Sequence, residues 1–481
     1  MSSSPFGVES EIRSNQEIHF WKSFDLDRWY PLVMTSPLDN IDESNNKTNA
    51  LLTFPTHFIL LSLEQICLLY KLMQDQARMK EYKRRISTQS GATSFNDLQD
   101  LFQDSEPVIR YIIEEIEKYF YAGDELSQPL HDDQNLPNNN LNKSSKKKPP
   151  RKAVFLRLSG NSPKDSAEHR KMKRNQEHLY QKLVKHHALI EEYMVLQNEY
   201  RKYSKDRVRD IPARFFNIQN ELFKILREEF SQLLKVSSDD IMYGVNLILM
   251  SQRIRRGFEW ILTNYYHHKD SLLNYTYIAL REWRDDVNLR NEFRCFVHKK
   301  KLVAISQYDQ HVFHPHVCEH KEEYIHAVKE FFEKELSRRL ETQFESYVFD
   351  VMVLLSGERA VNNDIDDQSP YGLTTSSFCK VFLIELNPYD YHSSACLFNW
   401  RTDASILYGD TNNLEEVVVR VTTQQVQKLD HLWDYLDILQ YVVDRRKQEQ
   451  LQQLSTLGLC VASFLGGVLF CKVLLNSSQT K

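Results

Sequence analysis

The sequence predicts an α+β protein, and three features carry that reading. Residues 292–297 and 302–307 are short runs of alternating side chains joined by the basic turn His298–Lys301. A period of two is the pattern of half-buried strands. Tyr347–Leu354 and Cys379–Pro388 are apolar runs of strand length. Glu106–Tyr121 instead places Val108, Ile112, Ile113, Ile116 and Phe120 at helical spacing, a stripe that faces a core.

Composition narrows the function. At 481 residues and 41% hydrophobic, the chain can bury one large core with additions. Its net charge of −5 gives no electrostatic case for nucleic acid, and no direct nucleic-acid partner is expected. Only 12 residues are glycine, and neither GxGxxG nor GxxxxGK[ST] occurs. The seven cysteines are scattered without a CxxC pair, as in a reducing compartment. No apolar stretch near Met1 reads as a secretory signal.

In chain order, residues 1–121 read as a docking segment followed by strand and helices. Trp29, Tyr30 and Pro31 are too apolar for a free tail and are expected to dock on the main domain. Residues 122–150, rich in Asp, Asn, Pro and Lys, form a polar and basic linker. Residues 151–405 hold the core. It opens with the strand Ala153–Leu158, which runs into a small-residue loop from Ser159 to Asp165; backbone N–H groups in such a loop can cradle phosphate. Residues 167–235 are charged helices with an imperfect apolar stripe, expected as an inserted hairpin packing on itself or on a partner. Asp239–Leu262 continues as an apolar helix and Tyr275–Trp283 as a strand. His311, His314, His316, Cys318 and His320 crowd ten residues, which fits a zinc site or a polar loop before the helix Glu322–Leu340. Ser356–Thr375 is a polar excursion, and 406–450 reads as a C-terminal helical region.

Two constellations carry chemistry. Glu292 and Arg294 are two apart on one strand and so share a face; an Arg fork there matches phosphate geometry as well as it matches a surface pair. Asp350 lies mid-strand, and Glu385 and Asn387 share a face of the next apolar strand. A carboxylate inside a β-run is costly unless paired or metal-bound, and hard oxygen ligands of this kind suit Mg2+.

Residues 454–475 are uncharged apart from Lys472 and follow the basic flank Arg445, Arg446, Lys447. Their length suits a bilayer core, so a tail anchor is expected, with the bulk of a cytoplasmic protein held on an intracellular membrane.

The strand-loop FLRLSGNSPKDS, followed in order by LREW, EFRCFV, LVAISQ, VFD and LIELNP, resembles the cell division cycle protein 123 family. Trp29-Tyr30-Pro31 also resembles that family's N-terminal cluster. The resemblance runs from about Phe24 to Trp400, interrupted by the insertions. It implies an ATP-grasp-like, two-lobed domain binding ATP and Mg2+. It also implies an assembly factor that binds the gamma subunit of eukaryotic translation initiation factor 2. Carried over by position, it assigns nucleotide contacts to Arg157, Gly160, Ser162, Lys164, Ala279, Arg281, Glu292 and Arg294, and metal ligands to Asp350, Glu385 and Asn387. The chain departs from the family pattern at Arg157 (lysine), Gly160 (tryptophan), Tyr308 (arginine) and Glu385 (aspartate). A nucleotide-binding chaperone is the reading these features favour. An ATP-dependent ligase or phosphotransferase is the alternative, as is a membrane-tethered scaffold that has lost nucleotide.

Overall fold

The computed structural model describes residues 15–34, 52–88, 94–121, 153–165, 173–201, 210–285, 287, 289–355, 373–375, 379–409, 416–424, 432 and 435–478, the last 21 of these without their side chains. The 122–150 linker and most of the 356–375 excursion lie outside the described residues. The chain divides into two compact units, Met1–Lys173 with Phe230–Gln425 and Arg174–Glu229 with Val426–Lys481.

The first unit holds two sheets. In the four-stranded sheet, β1 (Thr56–Ser62), β2 (Val154–Leu158), β3 (Lys235–Val236) and β4 (Tyr275–Glu282) lie in the order β1-β4-β2-β3, antiparallel throughout. Ile59, Leu61, Val154, Leu156, Leu158, Ile278 and Leu280 alternate onto one face. That face packs on the helices Leu63–Gln74, Glu106–Tyr121, Ile241–Met250 and Gln252–His268. The first of these helices starts at a capping box, in which the Ser62 hydroxyl accepts from the Gln65 N–H and the Gln65 side chain accepts from the Ser62 N–H. The expected single helix over 239–262 is two helices, because Ser251 leaves the helical region and caps the second through the Ile254 N–H at 3.2 Å.

In the second sheet, β5 (Glu292–His298), β6 (Lys301–Gln307), β7 (Tyr347–Leu354), β8 (Leu373–Thr374), β9 (Lys380–Pro388) and β10 (Val418–Arg420) take the order β10-β6-β5-β7-β9-β8. Only β10 on β6 is parallel among these pairs. β10 falls where the sequence reading placed helix; Val417, Val418, Val419 and Val421 are β-branched and stiff, the residues a strand favours. Phe293, Cys295, Val297, Phe349, Val351 and Val353 form one face. They pack on Trp29 and on the Lys321–Phe331 helix through Val328 and Phe331. Trp29, 1% exposed, thus anchors the N-terminal helix Leu26–Met34 in this core.

The histidine-rich stretch does not converge. His314 is buried, His316 Nε2 lies 3.1 Å from Asn291 Oδ1, and His320 Nδ1 lies 3.0 Å from Glu323 Oε1. Among the described residues no group of three or more His, Cys, Asp or Glu could hold a metal, so of the two readings of this stretch the polar loop is the one that fits.

In the second unit, the inserted helices do not pack only on themselves. Arg445, on the helix Leu436–Ser478, lies 4.1 Å above the Tyr180 ring and pairs with Glu177. Phe223 meets Tyr435 edge-on at 5.7 Å, while Tyr193 stacks on Phe215 at 5.5 Å. The expected anchor at 454–475 falls inside this helix, but side chains beyond Leu457 lie outside the described residues. Among the described residues no helix is long and apolar enough to cross a membrane.

Trp29→Ala should lower the stability of the first unit by about 3–5 kcal/mol, the usual range for emptying a buried aromatic site. Urea unfolding measures it, and an unmoved transition would mean the N-terminal helices are not part of this core.

Candidate functional site

The site begins with one register pair. Arg294 on β5 stands opposite Asp350 on β7, both on the sheet face away from Trp29. Arg294 Nε donates to Asp350 Oδ1 and Nη2 to Oδ2, each at 2.7 Å, and Nη1 donates to the Ser394 carbonyl at 2.8 Å. Both residues are at least 95% buried, and a two-bond fork is the geometry that makes a buried pair tolerable. Asn387 Nδ2 donates to the same Asp350 Oδ2 at 3.2 Å.

Glu385 reaches this face through an irregularity. β7 and β9 pair Val351 with Leu383 but Asp350 with Glu385, so Ile384 is an extra residue. Without it, alternation would give Glu385 the core-facing side of Leu383. A bulge of this kind re-aims the side chains that follow. Glu385 and Asn387 are thereby turned beside Asp350, while Leu386 returns to the core.

The other sheet supplies the facing charges. Arg157, on the non-core face of β2 and 5% exposed, donates from Nη2 to Glu385 Oε1 at 2.7 Å. Burial pushes the Glu385 carboxyl up, but Arg157 and Lys164 outweigh it and hold the group at about 2. Arg281 is buried nearby, donating to the carbonyls of Ile384 at 2.5 Å and Leu383 at 3.1 Å. Ala279 is fully buried in the core between them.

Beside this cluster lies a cavity of about 550 Å³. Gly160, Ser162 and Lys164 line it from the small-residue loop; Arg294, Tyr308, Glu385 and Asn387 line it from the second sheet. Ala279 and Arg281, expected on the nucleotide, are not among its lining residues; they join the two sheets. Arg157 and Asp350 stand behind Glu385 and Arg294, and Glu292 is buried beside them. Lys164 is exposed at the rim, its Nζ 5.7 Å from the centre of the Tyr308 ring, and Arg294 Cζ lies 5.1 Å from that same centre. Tyr308 therefore offers its π-face to two cations.

Sequence reasoning missed half of the wall. Trp21 and Lys22 come from the helix Asn15–Ser23, Phe24 and Asp25 from the turn after it, and Arg253 and Trp260 from the helix Gln252–His268. Only the aromatic density of residues 20–30 hinted at the first group. The cations lining the cavity are Lys22, Lys164, Arg253 and Arg294, against the acids Asp25 and Glu385. Such a balance draws anions, and the forked and pointed donors suit phosphate oxygens.

Residues 212–432 match the D123 family model. Over that stretch the chain is similar to the D123 family. A protein of Xenopus laevis described as translation initiation factor eIF2 assembly protein is 28% identical over 142 residues, 29% of this chain and 35% of the relative. A Danio rerio protein with the same description is 27% identical over 131 residues, 27% of this chain and 30% of the relative. The chain thus matches about a third of the length of these curated relatives. The solved structure of Cdc123 from Schizosaccharomyces pombe aligns over 86% of this chain and 100% of that one, with 13% identity and a TM-score of 0.42. The D123 match takes in β3 to β10 and so the Arg294–Asp350–Glu385 face, while the loop bearing Lys164 precedes it.

Glu292 yields a pH test. Burial raises its carboxyl from 4.5 to about 8, with Lys164 opposing and Asp350 adding to the rise. Over that interval the folded chain keeps a proton that the unfolded chain has released, so this group makes stability fall as pH rises from 4.5 toward 8. Glu292→Gln should flatten the slope. Urea midpoints at pH 5, 6.5 and 8 compare the two chains, and parallel profiles would show that Glu292 is ionised throughout.

Proposed function

We propose that this protein is a nucleotide-binding assembly factor for translation initiation factor eIF2, with ATP as the ligand of the cavity and the gamma subunit as its partner. The single observation that carries the ligand reading is the cavity wall, where four cationic side chains face two acidic ones beside a loop of small residues. The eIF2 reading rests on the description of the relatives, and a cytoplasmic place follows from that partner.

Lys164 and Arg294 would take phosphate oxygens, Lys164 as a point charge at the rim and Arg294 as a fork already oriented by Asp350. Ser162, lining the loop, supplies a hydroxyl. Holding Arg294 and Asp350 together keeps both charges in place without reorganisation as the anion enters.

A divalent ion fits the donor set through two side chains. Glu385 is held ionised, and among the described residues its Oε2 and the side-chain carbonyl oxygen of Asn387, which donates through Nδ2, are unengaged. Mg2+ typically needs only one or two carboxylates and the ligand's own phosphates, and when bound it would neutralise phosphate charge against Glu385. Asp350, expected as a third ligand, is committed at both oxygens to Arg294, so its part is to position that arginine.

Among the described residues no side chain lining the cavity is placed as an activated nucleophile, which favours binding over turnover. Phosphate or diphosphate release from Mg-ATP separates this from a ligase or phosphotransferase, since steady release would establish an enzyme.

Lys164→Ala should weaken Mg-ATP binding roughly tenfold, the worth of one charge-assisted contact, with little loss of stability because Lys164 is exposed. Calorimetric titration of both chains, with recovery of the gamma subunit from cytosol on the wild-type chain, tests ligand and partner separately. Equal affinities would remove Lys164 from the site, and absence of the gamma subunit would remove the assembly role.

A further inference from the structure

The N-terminal helices do more than cover a core. The start of the helix Leu26–Met34, and with it the turn that follows the helix Asn15–Ser23, is fastened to the start of the small-residue loop. The Leu26 N–H donates to the Ser159 carbonyl at 3.3 Å, the Asp27 N–H to Ser159 Oγ at 3.2 Å, and the Ser159 hydroxyl to Asp27 Oδ1. At Gly160 an added Cβ would come within 2.7 Å of Asp25 Oδ1, so the loop and the turn meet at a distance that only glycine permits without displacing Asp25. This docking brings Lys22 to the cavity wall.

Lys22 is 4% exposed, and lysine is seldom buried unless something pairs with it. Its ammonium has three donors, and among the described residues its side-chain partner is Asp25. A buried cation with donors left over, beside an open cavity, is under-satisfied in the ligand-free protein. We infer that Lys22 is a ligand-binding residue, an anion contact that the N-terminal helix adds to the cavity and that Asp25 occupies until a phosphate oxygen arrives.

This assignment rests on reading the cavity as a polyphosphate site, and it deepens that reading in two ways. It makes residues 15–34 part of the site rather than an appendage, and it makes Asp25 a competitor of the ligand. Removing the two charges must therefore act in opposite directions, which general damage to the N-terminal helices would not produce.

Inorganic triphosphate, which lacks both base and metal, is the first probe, and Mg-ATP is the second. Calorimetric titration of the full chain compares wild type with Lys22→Gln, Lys22→Arg and Asp25→Asn. Lys22→Gln should lose triphosphate affinity about tenfold or more, and Lys22→Arg should keep most of it. Asp25→Asn should bind several-fold more tightly. Wild-type binding with Lys22→Gln equally tight would overturn the assignment while leaving the cavity reading intact. If Lys22→Gln fails to fold, Asp25→Asn decides, since unchanged or weaker affinity there overturns the competition. Wild type binding neither probe would sink the polyphosphate reading itself, and this assignment with it.

Discussion

The pair Arg294–Asp350 is the constraint around which the site is arranged. Two opposite charges sit side by side on adjacent strands, almost sealed from water, and each satisfies the other through two bonds. Breaking such a pair by removing one member typically costs 3–5 kcal/mol, because the remaining charge is stranded. Hydrophobic residues of equal size would have made a sheet at least as stable. The charges are therefore better understood through what they orient. Asp350 fixes the guanidinium and receives Asn387, and Arg294 reaches on to the Ser394 carbonyl. The strand pairing, the loop after β9 and the cavity wall are thereby held to one geometry.

The two sheets meet through a second set of arginines. Arg157 crosses to Glu385, and Arg281 crosses to the backbone around Ile384, where the bulge leaves carbonyls outside a regular ladder. A lysine at 157, as in the family pattern, would present one compact charge in place of a fork. Tyr308, where the family pattern has arginine, changes the balance in the opposite sense. It adds no charge but offers a ring face to Lys164 and Arg294, offsetting part of their mutual repulsion.

Much of this was legible in residue order. The alternation of Glu292–Val297 correctly separates the core side of Phe293, Cys295 and Val297 from the polar side of Glu292 and Arg294. The shared face of Glu385 and Asn387 is likewise a matter of spacing. What periodicity could not supply was the extra residue at Ile384, since an apolar run looks the same with or without a slip in pairing. Nor could it supply Lys22, Arg253 or Trp260, whose place at the cavity follows from how separate segments dock. The break at Ser251 and the strand Val418–Arg420 were readable in principle, from a capping serine and a cluster of valines, but helical periodicity across the flanks masked both.

The second unit joins Arg174–Glu229 to Val426–Lys481 across the whole stretch Phe230–Gln425. Because domains tend to fold as units while the chain is being made, this one cannot be completed when its first helices leave the ribosome. Tyr180 and Phe223 must wait for Arg445 and Tyr435 while the sheets of the other unit are translated. During that interval the apolar side of the early helices faces solvent or a ribosome-associated chaperone. Slowed elongation within the second half would lengthen the exposure and with it the time available for aggregation.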